Sequence, residues 1–296
     1  MQTRGKSINL FLLDGKANGR IKCTLANWTG VAYRIPRTEL DKCKERTDLA
    51  QSGVYFLFGS SDDYEKNVVY VGQAGVRKNG EGILCRLLEH KRNQDKDYWT
   101  EAIVFTTSNN SFGPTEISYL EHRFCAMSVE ADRYVVKNSN EPSPGHITEE
   151  KESELEEFID YAKIVMGTLG HRIFEPILEK MVEPGNVQSS TDNPLLYLNR
   201  RTKKSDIMIR ATGKQTNEGF VIFSGSQIET IDSSTLPASI KQRRQNARVD
   251  VGGILQDDML FSSPSASAMF AIGTSANGLT EWKTADGRTL KELEAE

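Results

Sequence analysis

The chain has 296 residues, of which 38% are hydrophobic and 26% are charged. This balance is typical of a globular protein, and the length allows two ordinary domains. The longest apolar stretch near the start, residues 8–13, contains Asn9 and ends at Asp14, so it excludes a signal-peptide core or a membrane span in that region. We therefore expect a cytoplasmic protein with no membrane partner.

The net charge of −4 is unevenly distributed along the chain. Residues 139–183 hold 11 acidic and 4 basic residues, so the rest of the chain has a net positive charge. Locally basic surface is what contact with nucleic-acid phosphates requires. No pair of cysteines has the spacing of metal ligands, and we expect buried, reduced thiols at Cys23, Cys43, Cys85 and Cys125.

Residues 1–50 are predicted to form an N-terminal β-rich element. Apolar residues 8–13 and 21–25 are separated by Asp14-Gly15 and Asn18-Gly19, which are strong turn signals between two strands. Residues 38–46 are predicted to form a short polar helix.

Residues 51–140 are predicted to form the first clear domain. Residues 53–58 and 68–71 read as two strands of a hairpin, joined by the polar loop 59–67. A helix over 81–92, a strand over 101–107 and a helix over 117–129 follow. The order β-β-α-β-α predicts an α/β (α+β) fold, a small sandwich with helices packed on a mixed or antiparallel sheet.

Residues 141–194 are predicted to be a helical linker. Thr148 is the expected N-cap of its helix, and six apolar residues recur at helical spacing opposite an acidic face: Leu155, Phe158, Ile159, Ala162, Val165 and Met166. Residues 195–296 are predicted to form a separate C-terminal α+β domain, with a strand over 220–223 and helices over 237–248 and 265–273.

The residues with the clearest chemical potential lie in the first domain. Arg86 and His90 are four residues apart in a predicted helix, so their side chains project together, and this pair suits a phosphodiester. Tyr55 and Tyr70 lie on adjacent predicted strands and can face the same side. Gly72 would allow close approach of the backbone to a ligand.

Taken together, these residues resemble the GIY-YIG nuclease family. The two halves of its motif stand as Gly53-Val54-Tyr55 and Tyr70-Val71-Gly72, and Arg86, His90, Glu121 and Asn138 follow in the expected order. The resemblance covers about residues 52–140. The separation between Tyr55 and Tyr70 is longer than is usual in the family, which indicates a longer hairpin loop.

The resemblance implies a phosphodiesterase that uses one divalent metal ion, Mg²⁺ or Mn²⁺. Glu121 would be its sole protein ligand, with Glu116 as the alternative, and Arg86 would bind the scissile phosphate. Tyr55 or Tyr70, with His90, would orient or deprotonate the attacking water, and the choice of base stays open. Asn138 would support the site or have a structural role.

The flanking regions also resemble parts of such proteins. Residues 1–50 resemble a leader that precedes this nuclease in a bacterial subgroup. The C-terminal region resembles an uncharacterised domain that often follows such nucleases, distantly similar to modules of restriction and adenine-methylation systems, and would help to select the target. Phosphate contacts are expected from Arg77, Lys78, Lys241, Arg243, Arg244 and Arg248. Trp282 fits either a base-stacking platform or, more simply, a core tryptophan.

The sequence therefore predicts a metal-dependent endonuclease that acts on nucleic acid, on DNA rather than RNA. Two other functions fit parts of the sequence. One is a nucleic-acid-binding protein without catalytic activity, and the other is a protein-interaction scaffold that uses the acidic helix and the C-terminal domain.

Overall fold

The computed structural model describes residues 4–60, 67–78, 80–138, 142–176, 194–202, 205 and 207–295, and of Asp95 it describes the backbone alone. The chain divides into two compact units, Met1–Glu179 and Lys180–Glu296. Helices and strands are mixed in both, which confirms the predicted α+β class. No helix among the described residues combines the length and the apolar character needed to cross a membrane.

The first unit is built on a mixed sheet that has seven strands in the described part of the chain. Their spatial order is β1-β2-β3-β6-β4-β5-β7, and every neighbouring pair is antiparallel except β5 and β7, which run parallel. The strands are β1 (Ile8–Leu12), β2 (Ile21–Leu25), β3 (Gly30–Pro36), β4 (Gly53–Gly59), β5 (Val68–Ala74), β6 (Trp99–Thr107) and β7 (Val135–Val136).

The N-terminal strands belong to this same sheet. β3 pairs with β6 along its whole length, from Gly30 opposite Thr107 to Pro36 opposite Glu101. Strands from residues 1–50 therefore extend the sheet of residues 51–140. The sequence analysis had predicted that residues 1–50 form a separate β-rich element. β3 was not predicted from the sequence. The helix predicted over 38–46 is a 3-10 helix, Arg37–Cys43.

Helices cover both faces of the sheet of the first unit. Helix α1 (Ile83–Arg92) packs on one face, where Ile83 and Leu87 join a core with Tyr55 and Leu57. Helices α2 (Pro114–Ala131) and α3 (Glu149–Thr168) pack on the other face. Because successive side chains of a strand point to opposite faces, β4 supplies alternate residues to the two cores, and all but its last residue are buried.

Local signals fix where these helices begin. Pro114 occupies the first turn of α2, and the Glu116 carboxylate accepts a hydrogen bond from the Gly113 N–H at 3.1 Å. Thr148 caps α3 as predicted, because its Oγ1 accepts from the Lys151 N–H at 3.4 Å. The predicted apolar stripe of α3 is buried against the sheet, so the helix that was predicted as a linker is part of the first unit.

The second unit has a four-stranded antiparallel sheet in its described part, in the order β11-β10-β9-β8. Its elements are β8 (Leu195–Arg201), β9 (Met208–Thr216), β10 (Gly219–Ile222), α4 (Ala238–Asn246), β11 (Met259–Phe261), α5 (Pro264–Ile272), α6 (Gly278–Glu281) and α7 (Leu290–Leu293). The predicted helices over 237–248 and 265–273 correspond to α4 and α5. β8 and β9 went unrecognised because basic and polar residues interrupt their alternation.

Candidate active site

Two tyrosines lie on the same face of the β4–β5 hairpin. Tyr55 is opposite Gly72 and Leu57 is opposite Tyr70, so the two phenols are diagonal neighbours. Their ring centroids are 6.3 Å apart. Tyr55 is buried, whereas Tyr70 is half-buried, so Tyr70 is the phenol that solvent or a substrate reaches more easily. The structure thus brings together the two tyrosines that the motif predicted.

Gly72 makes room for the Tyr55 ring. A Cβ atom at Gly72 would lie 2.5 Å from the Tyr55 Oη and 2.5 Å from its Cζ. Contacts this short do not occur between real side chains, so any larger residue would displace the phenol. The sequence predicted that this glycine allows a ligand to approach the backbone, but the space above it is filled by Tyr55.

His90 is held against Tyr55 by a hydrogen bond. The Tyr55 Oη and His90 Nε2 are 2.6 Å apart, and the His90 ring also lies 5.5 Å from that of Tyr70. Burial, together with the positive charges of Lys96 and Arg86, lowers the pKa of His90 to about 4. The imidazole is therefore neutral near pH 7, and its Nε2 can accept the Tyr55 proton. Burial also raises the pKa of Tyr55, which keeps that phenol protonated.

Arg86 projects from the same side of α1 as His90, as their spacing predicted. Its side chain is 42% exposed, and its Nη1 lies 2.8 Å from a carboxylate oxygen of Glu89. Glu89 also holds the Nη2 of Arg77 at 2.6 Å. One carboxylate thus holds two guanidinium groups at the rim of the site, and their summed charge stays positive. Lys78 is exposed in the loop beside Arg77.

Glu121 reaches this space from the opposite helical layer. It lies on α2, which contacts β5 at one side of the sheet, and its carboxylate is close enough to Gln73 of β5 for that residue to act on its pKa. Burial raises the pKa of Glu121, and Gln73 and the charge of Arg86 act against that rise. Glu121 in turn helps to raise the pKa values of both tyrosines, whose main cause is burial. The carboxylate is therefore in electrostatic contact with the phenols and with Arg86.

Asn138 has a structural role beside the site. Its Oδ1 accepts a hydrogen bond from the Val71 N–H at 3.0 Å, and its Nδ2 donates to the Val71 carbonyl at 2.8 Å. Both polar groups of the amide are thereby used on the backbone of β5, between Tyr70 and Gly72. Asn138 thus positions the strand that carries Tyr70. This is a structural role, one of the two roles that the resemblance implied for Asn138.

Glu116, the alternative metal ligand, is placed elsewhere. Its carboxylate closes the N-terminus of α2, and the residue lines a separate cavity of about 250 Å³ with Trp28, Phe158 and Tyr161. It therefore makes no part of the tyrosine site. Groups of three or more His, Cys, Asp or Glu side chains that suit a shared metal ion do not occur among the described residues.

The donor set of the site fits one hard divalent cation. A single carboxylate completed by water molecules is a coordination that Mg²⁺ accepts. Glu121 supplies that carboxylate, and a cation beside it would favour the ionised form against the effect of burial. The charge of Glu121 acts on both tyrosines, so Glu121 is the residue that would hold the ion.

Lys96 belongs to the site although the sequence analysis did not select it. It ends a 3-10 helix, Gln94–Lys96, directly after α1, and its Nζ lies 3.2 Å from the centroid of the Tyr70 ring. Burial, followed by the charge of Arg86, lowers the pKa of Lys96 to about 8. A lysine in a polar turn resembles an ordinary surface residue in the sequence, and no spacing rule marks it.

The basic residues predicted on α4 divide into buried and exposed groups. Arg244 has a 7% exposed side chain and pairs with Asp232 at 2.7 Å, and it also donates to the carbonyls of Glu229 and Phe270. Each of its three nitrogen atoms thus donates within the second unit, so Arg244 has a structural role there, and this position does not support the predicted phosphate contact. Exposed positions remain at Arg243 and Arg248, and Lys241 is half-buried.

Trp282 lies in the core of the second unit. It is fully buried, its ring packs 4.6 Å from that of Phe220, and its Nε1 donates to the Ser267 hydroxyl at 2.9 Å. This agrees with the simpler of the two interpretations made from the sequence, and it removes Trp282 as a platform for a base.

Comparison with known proteins gives one match, which lies in the second unit. Residues 202–294 match the family described as "Domain of unknown function (DUF4357)", and this match covers less than half of the chain. No curated protein and no solved structure matches the chain. Residues 202–294 are therefore similar to DUF4357, and the unit that holds the tyrosine site precedes them in the chain.

Proposed function

We propose that the first unit is a metal-dependent endonuclease of the GIY-YIG type, which hydrolyses phosphodiester bonds in nucleic acid, in DNA rather than RNA. One observation carries the proposal: the 2.6 Å contact between the Tyr55 hydroxyl and a neutral His90 lies in a space that Tyr70, Arg86 and Glu121 also share. These groups come from a hairpin and from helices on both faces of the sheet. A phosphate-binding cation, a proton acceptor and a metal-binding carboxylate are the parts that phosphodiester hydrolysis needs.

Arg86 binds the scissile phosphate in this proposal. Its guanidinium presents two parallel donors to two phosphate oxygens and stays charged at any working pH. The present partner of Arg86 is Glu89, at the surface of α1. A phosphate that enters the site competes with this carboxylate, and the ion pair with Arg77 keeps Glu89 in place when Arg86 turns to the substrate.

The phenols and His90 move the proton of the attacking water. Tyr55 is hydrogen-bonded to His90, and the rings of Tyr70 and Tyr55 are neighbours, with centroids 6.3 Å apart. As water attacks phosphorus and the bond to the leaving oxygen breaks, the water proton passes to Tyr70, the Tyr70 proton to Tyr55, and the Tyr55 proton to His90 Nε2. The leaving oxygen takes a proton from solvent, and His90 later releases its own. The low pKa of His90 favours that release.

Glu121 holds the divalent cation in this proposal, as Mg²⁺ or Mn²⁺. When bound there, such an ion would supply positive charge that offsets the negative charge developing during hydrolysis. Gln73 lowers the pKa of Glu121 and so favours the ionised carboxylate that a cation needs.

The DUF4357 domain would help to select the target. Exposed Arg243 and Arg248 provide cationic positions for contacts to the nucleic-acid backbone. A cytoplasmic location agrees with the four free cysteines, of which Cys23, Cys43 and Cys125 are buried.

The test is cleavage of a labelled DNA duplex by the full-length protein with Mg²⁺ or Mn²⁺. We expect Glu121→Gln and Arg86→Ala to lower the rate by at least a hundredfold, on the order of what one transition-state contact contributes. Tyr70→Phe removes the hydroxyl that receives the water proton and should lower the rate by about 10²-fold. Glu154→Gln is the matched control, because its side chain is 66% exposed on α3 and should leave the rate unchanged.

Single-stranded, branched and methylated DNA and RNA complete the substrate series. Equal cleavage by the wild type and Glu121→Gln would overturn the assignment of the site. Binding without cleavage of any substrate would favour the non-catalytic alternative, and the absence of both binding and cleavage would favour the interaction scaffold.

A further inference from the structure

Lys96 lies against Tyr70 in the site but is not part of the motif that indicated the site. The 3-10 helix Gln94–Lys96 returns the chain toward the sheet directly after α1, and this places the ammonium against the open face of Tyr70. The distance of 3.2 Å from Nζ to the ring centroid makes this a close cation–π contact. The Lys96 side chain is half-buried, so much of its hydration is lost.

The charge of Lys96 is not compensated by a carboxylate in the described part of the chain. Other cations nearby have such partners, since Arg86 and Arg77 share Glu89, and Lys91 pairs with Asp41 at 2.6 Å. The neighbours of Lys96 are the Tyr70 ring, a neutral His90 and the like charge of Arg86. The lowered pKa of Lys96, caused by burial and then by Arg86, agrees with this arrangement.

A half-buried cation beside a second cation costs free energy unless an anion joins them. Burial penalises a charged group, and two like charges raise that penalty. Tyr70 offsets part of this cost through its π face but carries no negative charge. Because Arg86 and Lys96 both adjoin Tyr70 and His90, an anion bound at these side chains would be attracted by both charges.

We propose that Lys96 is a second phosphate-binding residue, which forms with Arg86 a two-cation clamp on the backbone of one nucleic-acid strand. The inference rests on the proposed function, because the clamp and the Tyr55–His90 pair share one pocket. Lys96 would bind an oxygen of the phosphodiester on the Tyr70 side, and thereby hold the strand so that the water near Tyr70 faces phosphorus. Its role is binding and positioning.

The experiment measures binding without cleavage. A fluorescent DNA duplex is titrated with the full-length protein in EDTA, and the dissociation constant is followed over a range of KCl concentrations. Each phosphate contact contributes about 0.9 to the slope of log K against log salt. We expect Lys96→Met to reduce that slope by about 0.9 and Lys96→Arg to restore it. Lys44→Met, at a side chain that is 65% exposed, is the control and should keep the wild-type slope.

A second measurement follows the titration of Lys96 in the wild-type protein. Lysines are dimethylated with ¹³C-formaldehyde, and the Lys96 signal is assigned as the one that Lys96→Arg lacks. We expect addition of the duplex to raise the pKa of Lys96 by about one unit from its value of about 8 in the free protein, since a bound phosphate favours the charged form.

The outcomes separate this inference from the proposed function. A wild type that cleaves DNA while Lys96→Met keeps the full salt slope would overturn the clamp and leave the nuclease standing. An unchanged Lys96 pKa on addition of a duplex that binds would also overturn it. A wild type that binds through Lys96 but cleaves nothing would support the clamp and contradict the nuclease.

Discussion

At the scale of single residues, the site depends on how tightly Tyr55 is surrounded. Its hydroxyl is bonded to His90, its ring lies over Gly72, and it is 1% exposed. The position of the phenol is therefore set by the absence of a side chain on β5 as much as by its hydrogen bond. Substitutions of Gly72 and of His90 test this arrangement.

Gly72→Ala should damage the site more than the fold. The added Cβ would lie 2.5 Å from the Tyr55 hydroxyl, so the phenol must move and the contact with His90 must lengthen. Overpacking of this kind costs about 1–3 kcal/mol of unfolding free energy, and we expect DNA cleavage to fall at least about tenfold. Urea unfolding and cleavage rates measure the two effects.

The matched control for this change is Gly75→Ala, directly after the same strand. There the nearest atom to a new Cβ is Ile117 Cδ1 at 3.7 Å, which is ordinary contact, and no positive φ constrains the residue. If Gly72→Ala cleaved DNA as fast as this control, the observed position of Tyr55 would not be required for cleavage.

His90 makes stability depend on pH in a predictable direction. Its pKa is lowered from 6.5 to about 4, first by burial and then by Lys96 and Arg86. Between these values the unfolded chain binds a proton that the native protein does not, so His90 contributes stability above about pH 6.5 that is lost as the pH falls toward 4.

We expect His90→Gln to remove this part of the pH dependence. Between about pH 7 and pH 5, the wild type should lose about 1–2 kcal/mol more of its unfolding free energy than the variant does. Urea unfolding at the two pH values gives the difference, in which the contributions of carboxylates common to both proteins cancel. Equal losses in the two proteins would contradict a neutral, buried His90.

At the scale of elements, helices position charged groups by what their other faces bury. On α1 the apolar side is fixed against the sheet by Ile83 and Leu87, and this leaves Arg86 at the rim and turns His90 inward. On α4 the buried side chain is mainly that of Ile240, so a charged residue, Arg244, takes over much of the attachment. Residues of one type on one helix can therefore have opposite roles.

Arg244→Met should destabilise the second unit, whereas Arg248→Met should not. Loss of Arg244 removes its hydrogen bonds to Asp232 and to two backbone carbonyls, which costs about 2–4 kcal/mol of unfolding free energy. Arg248 has a side chain that is 76% exposed, so its loss should change stability by no more than about 0.5 kcal/mol. Amide hydrogen exchange over residues 238–246 measures local opening in each variant.

In DNA binding, we expect the larger direct effect from Arg248→Met, because Arg248 is the exposed arginine of the two. Arg248→Met should reduce the salt slope of binding while it leaves exchange in α4 unchanged. Faster amide exchange in α4 of Arg248→Met, or exchange as slow as in the wild type in Arg244→Met, would contradict the roles that we assign to these arginines.

At the scale of the whole molecule, the chain separates the tyrosine site and the matched family domain into different units. Residues 202–294, which match DUF4357, lie within the second unit, and all members of the site lie within the first. The acidic residues that make the net charge negative are concentrated on α3, on the layer opposite α1. A net charge of −4 is thus compatible with a positive site on the other face.

Local patterns in the sequence determined much of the fold and part of the site. The hairpin predicted from β4 and β5 allowed Tyr55 and Tyr70 to face one side, and the spacing of four placed Arg86 and His90 together, because both depend only on the geometry of one element or one hairpin. The cap at Thr148 and the α+β class were predicted for the same reason.

Only the tertiary structure decided which distant segments meet. It placed β3 beside β6, brought Glu121 from the opposite layer to the tyrosines, put Lys96 over Tyr70 and buried Arg244. These contacts join residues whose own elements look ordinary. A charge that is solvated and a charge that is buried among backbone carbonyls are the same letter in a sequence, and only the packing of distant segments distinguishes them.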